Sequence, residues 1–164
     1  MKSALIVVDV QNEYFANGGF PQWNIDKTSA NIAEKIKQAK ADGWLVVGVQ
    51  HFIPGDDAPL FRKGSSGANI HTSVAGLLAD APLVEKVHAD SFLNTDMGGI
   101  LKKEGITDLY ICGMMTQNCI TYTAISPHAS GFNVHVIANC CTAPSELVHI
   151  LALEALADRG VKII

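Results

Sequence analysis

The amino-acid sequence predicts an α/β fold with a parallel sheet and helices on both of its faces. Residues 4–10 form a continuous apolar run, which is typical of a parallel strand covered on both sides. Strand-like and helix-like segments then alternate along the chain, which implies right-handed crossovers between parallel strands. There is no internal repeat, low-complexity tract or linker, so we expect a single domain over residues 1–164.

Short apolar and partly β-branched runs predict the strands, and glycines and prolines separate them from the helices. The strands are predicted at residues 4–10, 44–50, 83–86, 109–112, 133–138 and 161–164. The helices are predicted from Thr28 or Ser29 to Asp42, and at residues 73–78, 95–104, 119–129 and 144–158.

Composition excludes several classes of protein. Of the 164 residues, 48% are hydrophobic and 17% are charged, so the chain is expected to be neither disordered nor membrane-spanning. A net charge of −4 without a basic cluster argues against a nucleic-acid partner. No signal peptide is evident and the four cysteines form no C-x-x-C pair, which together favour reduced thiols in a cytoplasmic protein.

Cys119 lies at or near the N-terminus of a predicted helix. Thr116, Gln117 and Asn118 precede it with side chains of the kind that cap helices. Unpaired amides and the helix dipole at such a position favour an anion, which lowers the pKa of a thiol and can hold an oxyanion. Cys119 is therefore a candidate nucleophile. The alternative is a small buried residue that packs the helix onto the sheet.

Asp9 and Lys86 lie at the carboxyl ends of the first and third predicted strands, and Cys119 comes after the fourth. The carboxyl ends of parallel strands meet at one edge of the sheet, where open α/β folds bind ligands, so these three side chains can converge. A cysteine nucleophile needs a base to take its proton and a cation to stabilise its thiolate. Asp9 and Lys86 can supply both functions, although Asp9 alone could simply cap a loop or a helix.

Two loops are expected to carry the substrate pocket. Residues 11–21 contain glycine and proline breakers, and residues 51–70 are too long for a simple connection. Isolated aromatic residues are ordinarily part of the core, but several of them follow strand ends here. The side chains predicted to bind substrate are Gln11, Phe15, Trp23, His51, Phe92 and Tyr122.

Neither a nucleotide nor a metal site is encoded by a motif. The glycines form neither the dinucleotide-binding pattern nor the phosphate-binding loop of nucleoside triphosphatases. The six histidines show no H-x-H, D-x-H or H-E-x-x-H spacing, and lone histidines are more often surface or loop residues than ligands. We therefore expect no cofactor and no metal.

Three ordered motifs resemble those of the isochorismatase-like cysteine hydrolases, a family that includes nicotinamidases, N-carbamoylsarcosine amidases and ureidoacrylate amidases. Residues 5–15, LIVVDVQNEYF, are similar to the opening of that family. Lys86 followed by residues 91–95, SFLNT, is similar to its lysine segment, and residues 113–120, GMMTQNCI, to its cysteine loop. The likeness runs nearly from end to end of the chain.

The resemblance implies a Rossmann-like three-layer sandwich with about six parallel strands and a catalytic triad of Asp9, Lys86 and Cys119. It also implies a non-proline cis peptide between Met114 and Met115, with the Met115 and Cys119 amides forming an oxyanion hole. The implied reaction is hydrolysis of a small amide or ureide through a thioester, with Asp9 moving the protons. A homo-oligomer, either a dimer or a tetramer, is implied as well.

The chain departs from the family at several positions. Family nicotinamidases bind a metal through an Asp-x-His segment, but residues 49–51 are Val-Gln-His, which makes nicotinamide a doubtful substrate. True isochorismatases lack the cysteine, so Cys119 points to C–N cleavage. Asn139 and Cys140 stand where an aspartate and small residues are usual, and Pro127 should kink the predicted helix at residues 119–129.

Two other functional classes remain open at this stage. Cys119 could serve as a redox-sensing thiol, which would need a resolving cysteine nearby. Alternatively, the scaffold could be an oligomeric binding module without turnover. Both alternatives leave the placement of Asp9 and Lys86 unexplained.

Overall fold

Six parallel strands form one sheet at the centre of the molecule. The structure is a computed structural model that describes all residues from Met1 to Ile164. The strands are β1 (Ser3–Val8), β2 (Leu45–His51), β3 (Leu83–Lys86), β4 (Asp108–Met114), β5 (Asn133–Thr142) and β6 (Lys162–Ile163). Their order across the sheet is β3-β2-β1-β4-β5-β6, and every pairing is parallel. The predicted α/β fold is confirmed.

Helices cover both faces of this sheet. They are α1 (Ile25–Ala41), α2 (Thr72–Ala75), α3 (Met97–Lys103), α4 (Thr121–Ala124) and α5 (Glu146–Asp158). Side chains alternate along β1, so Leu5 and Val7 pack with α1 and α2, whereas Ile6 and Val8 pack with α3, α4 and α5. Two hydrophobic cores therefore lie on opposite sides of the sheet. None of the helices combines the length and apolarity needed to cross a membrane.

Helix α1 begins earlier than the sequence predicted. We expected Thr28 or Ser29 as the cap, but the helix starts at Ile25, after Asn24 in a left-handed conformation with φ of 52°. Ile25 is buried in the core beside α1, and the Ser29 hydroxyl donates within the first turn to the Asp26 carbonyl at 3.0 Å. Burial of Ile25 thus outweighs the preference of a hydroxyl side chain for the cap position.

The segment around Cys119 differs from the single helix predicted over residues 119–129. A turn of π-helix, Thr116–Ile120, leads directly into α4, and the helix ends at Ala124. Thr116, Gln117 and Asn118 therefore lie inside the first turn, and the residue at the cap position is Met115, without a side-chain hydrogen bond. Pro127 does not kink this helix, because it begins a separate 3-10 turn capped by the Ser126 hydroxyl.

Strand β4 continues through Gly113, and β5 is longer than expected. Gly113 has φ of 122°, and a Cβ atom built there would lie 2.0 Å from the Val8 carbonyl oxygen. The register between β4 and β5 shifts at this point, which lets β5 run on to Thr142. The absence of a side chain at Gly113 brings the ends of β1 and β4 together, next to Asp9 and the turn that carries Cys119.

Replacing Gly113 with alanine should lower the free energy of unfolding by at least about 2 kcal/mol, because the new methyl group meets backbone atoms at a strained φ. Gly131→Ala is the matched control, since Gly131 is exposed and nothing lies within 4 Å of its Cβ position. That control should change stability by less than about 0.5 kcal/mol. Urea denaturation of both variants measures the difference, and equal midpoints would contradict the role of this close approach.

Candidate active site

The structure brings Asp9, Lys86 and Cys119 together. Asp9 follows β1, Lys86 ends β3, and Cys119 lies in the π-helical turn after β4. All three side chains are enclosed, because Asp9 is 0%, Cys119 1% and Lys86 2% exposed. The predicted convergence of strand ends accounts for this arrangement.

The Lys86 ammonium lies at the centre of the cluster. Its Nζ atom is 2.8 Å from Asp9 Oδ2 and donates to Cys119 Sγ at 3.2 Å. It also donates to the His88 carbonyl oxygen at 3.0 Å and lies 3.2 Å from His51 Nδ1. A buried ammonium requires this kind of compensation, since an unpaired charge in the interior is very costly.

The Asp9 carboxylate keeps free lone pairs despite this contact. The 2.8 Å approach of Lys86 joins two opposite charges, but its direction departs from hydrogen-bond geometry. Neither Asp9 oxygen accepts a hydrogen bond from elsewhere in the chain. A carboxylate in this state can accept a proton from a thiol or a water molecule placed beside it.

Cys119 is a thiol in this environment, contrary to the expectation that its position lowers its pKa. Burial raises the pKa of Cys119, and the Asp9 charge raises it further, while Lys86 opposes both effects. The amides and dipole of the helix N-terminus do not offset the cost of placing an anion where solvent is excluded. Loss of the Cys119 proton therefore has to accompany the reaction.

The backbone around Met115 has the form expected from the sequence motif. The Met114–Met115 peptide is cis. The Met115 amide donates no hydrogen bond within the chain, while the Met115 carbonyl accepts from the Asn118 and Ile120 amides at 3.0 and 3.2 Å. The Met115 N–H group is thus free to donate to another acceptor.

The Gln11 side chain holds the backbone of His51 in place. The buried Gln11 side chain accepts from the His51 amide at 2.9 Å and donates to the His51 carbonyl at 2.8 Å. It also donates to the Ala68 carbonyl at 2.7 Å, and Gln50 donates to the same oxygen at 2.8 Å. The loop over residues 51–70 is therefore fastened beside the cluster, and the Gln11 amide group is fully engaged by protein atoms.

The aromatic residues predicted to bind substrate lie in different surroundings. The Phe15 ring stacks on His71 with centroids 3.4 Å apart and lines a cavity of about 620 Å³. Trp23 is half-buried with its ring 5.8 Å from His149, and Phe92 packs against Phe132 in the core. Tyr122 is 53% exposed. The structure therefore does not bring Tyr122 into the enclosed cluster.

Tyr14 is a neighbour of the cluster that the sequence reasoning missed. Its side chain is buried, and burial and then the charge of Asp9 raise the pKa of its hydroxyl. Its ring lies 4.9 Å from that of Phe61. Its place five residues after Asp9, within the opening motif, is the signal that could have identified it.

Two hydrogen-bond networks that support the cluster were also missed. Ser91 donates from its amide to the Thr123 hydroxyl at 3.0 Å, and Ser126 donates to Asp90 at 2.7 Å, which joins the segment after Lys86 to α4 and the turn that follows it. On the other side, the Thr116 hydroxyl lies 2.8 Å from Nδ1 of the buried His149. These contacts fix the ends of the turn that carries Cys119.

Comparison with known proteins identifies a family for nearly the whole chain. Residues 3–164 match the family described as Isochorismatase domain. An uncharacterized isochorismatase family protein of Bacillus subtilis is 34% identical over 166 residues, which covers 95% of this chain and 92% of that protein. The resemblance predicted from the three sequence motifs is confirmed, as is the assignment to an enzyme family.

Solved structures agree with the fold. An isochorismatase family protein from Desulfovibrio vulgaris superposes with a TM-score of 0.91 at 21% identity, covering 99% of this chain and 93% of that one. Pyrazinamidase of Pyrococcus horikoshii, in complex with zinc, has a TM-score of 0.86 at 26% identity and covers 100% of this chain and 99% of that one.

The residues of this chain do not fit a zinc site built on an Asp-x-His segment, such as family nicotinamidases use. Val49 offers no ligand atom, and the Gln50 side chain is committed to the Ala68 carbonyl. His51 faces the Lys86 ammonium, and His71 Nδ1 lies against the Ser73 hydroxyl at 2.9 Å. No cluster of three or more His, Cys, Asp or Glu side chains could hold a metal ion.

The buried ion pair predicts a large effect of Lys86→Met on stability. Removing the ammonium leaves the Asp9 charge enclosed without a partner, which typically costs about 3–5 kcal/mol. Adding Asp9→Asn to Lys86→Met should restore much of that loss, because the isolated charge is then gone. Lys40→Met is the control, since its ion pair with Asp80 is at the surface and is worth about 0–1 kcal/mol.

Urea midpoints of the three variants measure this difference. A Lys86→Met midpoint equal to that of Lys40→Met would show that Asp9 and Lys86 do not form a charged pair in solution.

Proposed function

This chain belongs to the isochorismatase family, and we propose that it hydrolyses a C–N bond of a small amide or ureide through a thioester on Cys119. The observation that carries the proposal is the Lys86 ammonium between the Asp9 carboxylate and the Cys119 sulfur, in a site from which solvent is excluded. These three residues are the proposed triad. The pyrazinamidase among the similar structures supports an amide as the substrate class.

The first step joins Cys119 to the substrate. The thiol proton moves to the free oxygen of Asp9 as the sulfur attacks the carbonyl carbon, so no thiolate has to persist alone. Lys86 stabilises the negative charge that passes through the sulfur. The carbonyl oxygen becomes an oxyanion, which we assign to the Met115 and Cys119 amides.

The second step releases the amine and restores the enzyme. Asp9 returns its proton to the leaving nitrogen as the C–N bond breaks, leaving a thioester and a carboxylate. A water molecule then loses a proton to Asp9 and attacks the thioester carbon. The carbon–sulfur bond breaks, an acid product leaves, and Asp9 gives the proton back to the sulfur. No step passes through a metal ion.

The substrate-contacting residues differ in how much supports their assignment. His51 reaches the cluster directly through Lys86, and Gln11 supports the pocket by holding His51. Phe15 and Trp23 are proposed as walls of the approach to the site, and Phe92 as packing behind it. The exposure of Tyr122 gives no support to its assignment.

The redox alternative is the less favoured one. A peroxide-sensing thiol must be a thiolate at rest, whereas burial and Asp9 both raise the pKa of Cys119. The other three cysteines are also buried and free, and none of them contacts Cys119 through a hydrogen bond. The unpaired state of all four supports a reducing compartment, and we propose the cytoplasm as the location.

A homo-oligomer, either a dimer or a tetramer, is part of the proposal. Three aliphatic side chains of α5, Leu147, Ile150 and Leu151, are 66%, 45% and 55% exposed. An exposed group of this kind on a surface helix is typical of a contact between protein chains. We refer to these three residues as the α5 face.

The activity is tested with a panel of small amides and ureides, with ammonia or amine release as the readout. Cys119→Ala should lower turnover of any substrate found by about a thousandfold or more, while Cys112→Ala should retain it, because Cys112 makes no contact with Lys86. Turnover should be the same with and without EDTA. Failure to hydrolyse any member of the panel, or full turnover by Cys119→Ala, would overturn the proposal.

Assembly through the α5 face is tested by sedimentation velocity. Introducing Leu147→Glu and Leu151→Glu together should shift the protein toward the monomer, because two carboxylates would have to be desolvated in the contact. Leu83→Glu is the control, since Leu83 is 48% exposed and lies on the edge strand β3, away from α5. A wild-type protein that sediments as a monomer would contradict this part of the proposal.

A further inference from the structure

Phe61 has a backbone conformation that a bulky residue rarely adopts. Its φ is 53°, in the left-handed region, where a side chain of this size is strained. The residue is nevertheless buried. Its ring lies 4.9 Å from that of Tyr14 and meets the His51 ring edge-on with centroids 5.7 Å apart. Other contacts must therefore hold this strained backbone in place.

The Glu13 carboxylate is a contact that holds the Phe61 backbone from another loop. Its Oε1 atom accepts from the Phe61 amide at 3.4 Å, and its Oε2 atom accepts from the Gly19 amide at 2.7 Å. Glu13 itself is buried. One carboxylate thus joins residues 51–70 to residues 11–21.

Gly67 leaves the space that the Glu13 side chain occupies. A Cβ atom built at Gly67 would lie 2.1 Å from Glu13 Oε1 and 2.4 Å from its carboxylate carbon. The Gly67 carbonyl also accepts from the Glu13 amide at 2.9 Å, and the Asn12 side chain donates to the Ser66 carbonyl at 2.8 Å. These contacts fix the carboxylate where the two loops meet.

The two joined loops start at the edge of the sheet that carries the proposed triad. Residues 11–21 follow β1, and residues 51–70 begin at the last residue of β2. His51 lies 3.2 Å from Lys86 Nζ, and Tyr14 is the buried neighbour of the cluster described above. The Phe61 ring therefore packs against two side chains that border the triad.

We propose that Glu13 is a positioning residue that keeps Phe61 in its strained conformation and so keeps the two loops closed over the Cys119 sulfur. When the Phe61 amide loses its acceptor, the backbone is free to leave the left-handed region, and the ring then withdraws from Tyr14 and His51. No covalent bond changes in this movement. The inference rests on the proposed function for its purpose, but its test uses no substrate.

Alkylation by iodoacetamide, followed for each cysteine by peptide mass spectrometry, tests this role with two variants. Glu13→Gln keeps the shape of the side chain but replaces one accepting oxygen with a donating group, so Phe61 or Gly19 loses its acceptor. Gly67→Ala displaces the carboxylate but keeps its charge. A faster reaction in both variants is therefore not an electrostatic effect of the missing charge on the thiol.

Two further variants are the controls. Asp26→Asn removes an exposed carboxylate that lines the same cavity as Glu13. Ile36→Val removes a methyl group from the core beside α1, so it destabilises the whole fold without touching either loop. Both controls should leave the Cys119 rate at its wild-type value, because neither changes the contacts that close the loops.

We expect Glu13→Gln and Gly67→Ala to speed alkylation of Cys119 by about tenfold or more, since loss of a charge-assisted hydrogen bond favours local opening. The Cys119 rate should depend little on low concentrations of urea, because a local opening exposes little surface. The Cys112 rate should rise steeply with urea, since Cys112 is enclosed in the core and reacts only after wider unfolding.

A double variant tests whether Glu13 acts through Phe61. Phe61→Ala removes the ring and should itself speed alkylation of Cys119. Adding Glu13→Gln to Phe61→Ala should then change the Cys119 rate by less than about twofold, because the ring that Glu13 positions is already gone.

A wild-type Cys119 rate in Glu13→Gln or Gly67→Ala, an equal acceleration by Ile36→Val, or the full effect of Glu13→Gln without the Phe61 ring would each overturn the inference. If the variants fail to fold, hydrogen exchange of the wild type decides instead, since an unprotected Phe61 amide is incompatible with the assignment. A panel of amides without activity would remove the proposed hydrolysis while leaving this result standing.

Discussion

The arrangement of the site depends on one buried charge, the Lys86 ammonium. An isolated cation in a solvent-free interior is prohibitively costly, so the surrounding groups must supply a counter-charge and acceptors. Asp9 supplies the charge, and the His88 carbonyl and His51 supply acceptors. Much of the nearby structure serves to keep these groups in range. The close approach at Gly113 brings β1 and β4 together, and Gln11 fixes His51.

The sequence predicted the sheet well because the signal for it is local. A continuous apolar run in the sequence predicts a strand that is covered on both faces of the sheet. Five of the six strands lie within a few residues of the predicted bounds. β5 is the exception. Its final residues pair with β4 after a register shift, and the strand propensities of the residues do not predict such a shift. The start of α1 was missed for a related reason, since burial of Ile25 decides it rather than a cap.

The site was predictable only in part. The convergence of Asp9, Lys86 and Cys119 was predicted correctly, because strand topology brings strand ends to one edge of the sheet. The sign of the Cys119 pKa shift was wrong, because the degree of enclosure around a residue cannot be read from its neighbours in sequence. Tyr14, Thr123 and His149 were missed for the same reason, as each acts through contacts with residues far along the chain.

The enclosure of the three central side chains also sets how fast another molecule can meet them. With exposures of 2% or less, no solute reaches the Cys119 sulfur while the surrounding loops keep the positions described. A solute can meet the Cys119 sulfur only after the loops open. The maximum rate of encounter is therefore set by the rate of loop opening and not by diffusion. The same gate slows bulk oxidants and stray electrophiles, so it protects the Cys119 sulfur from modification.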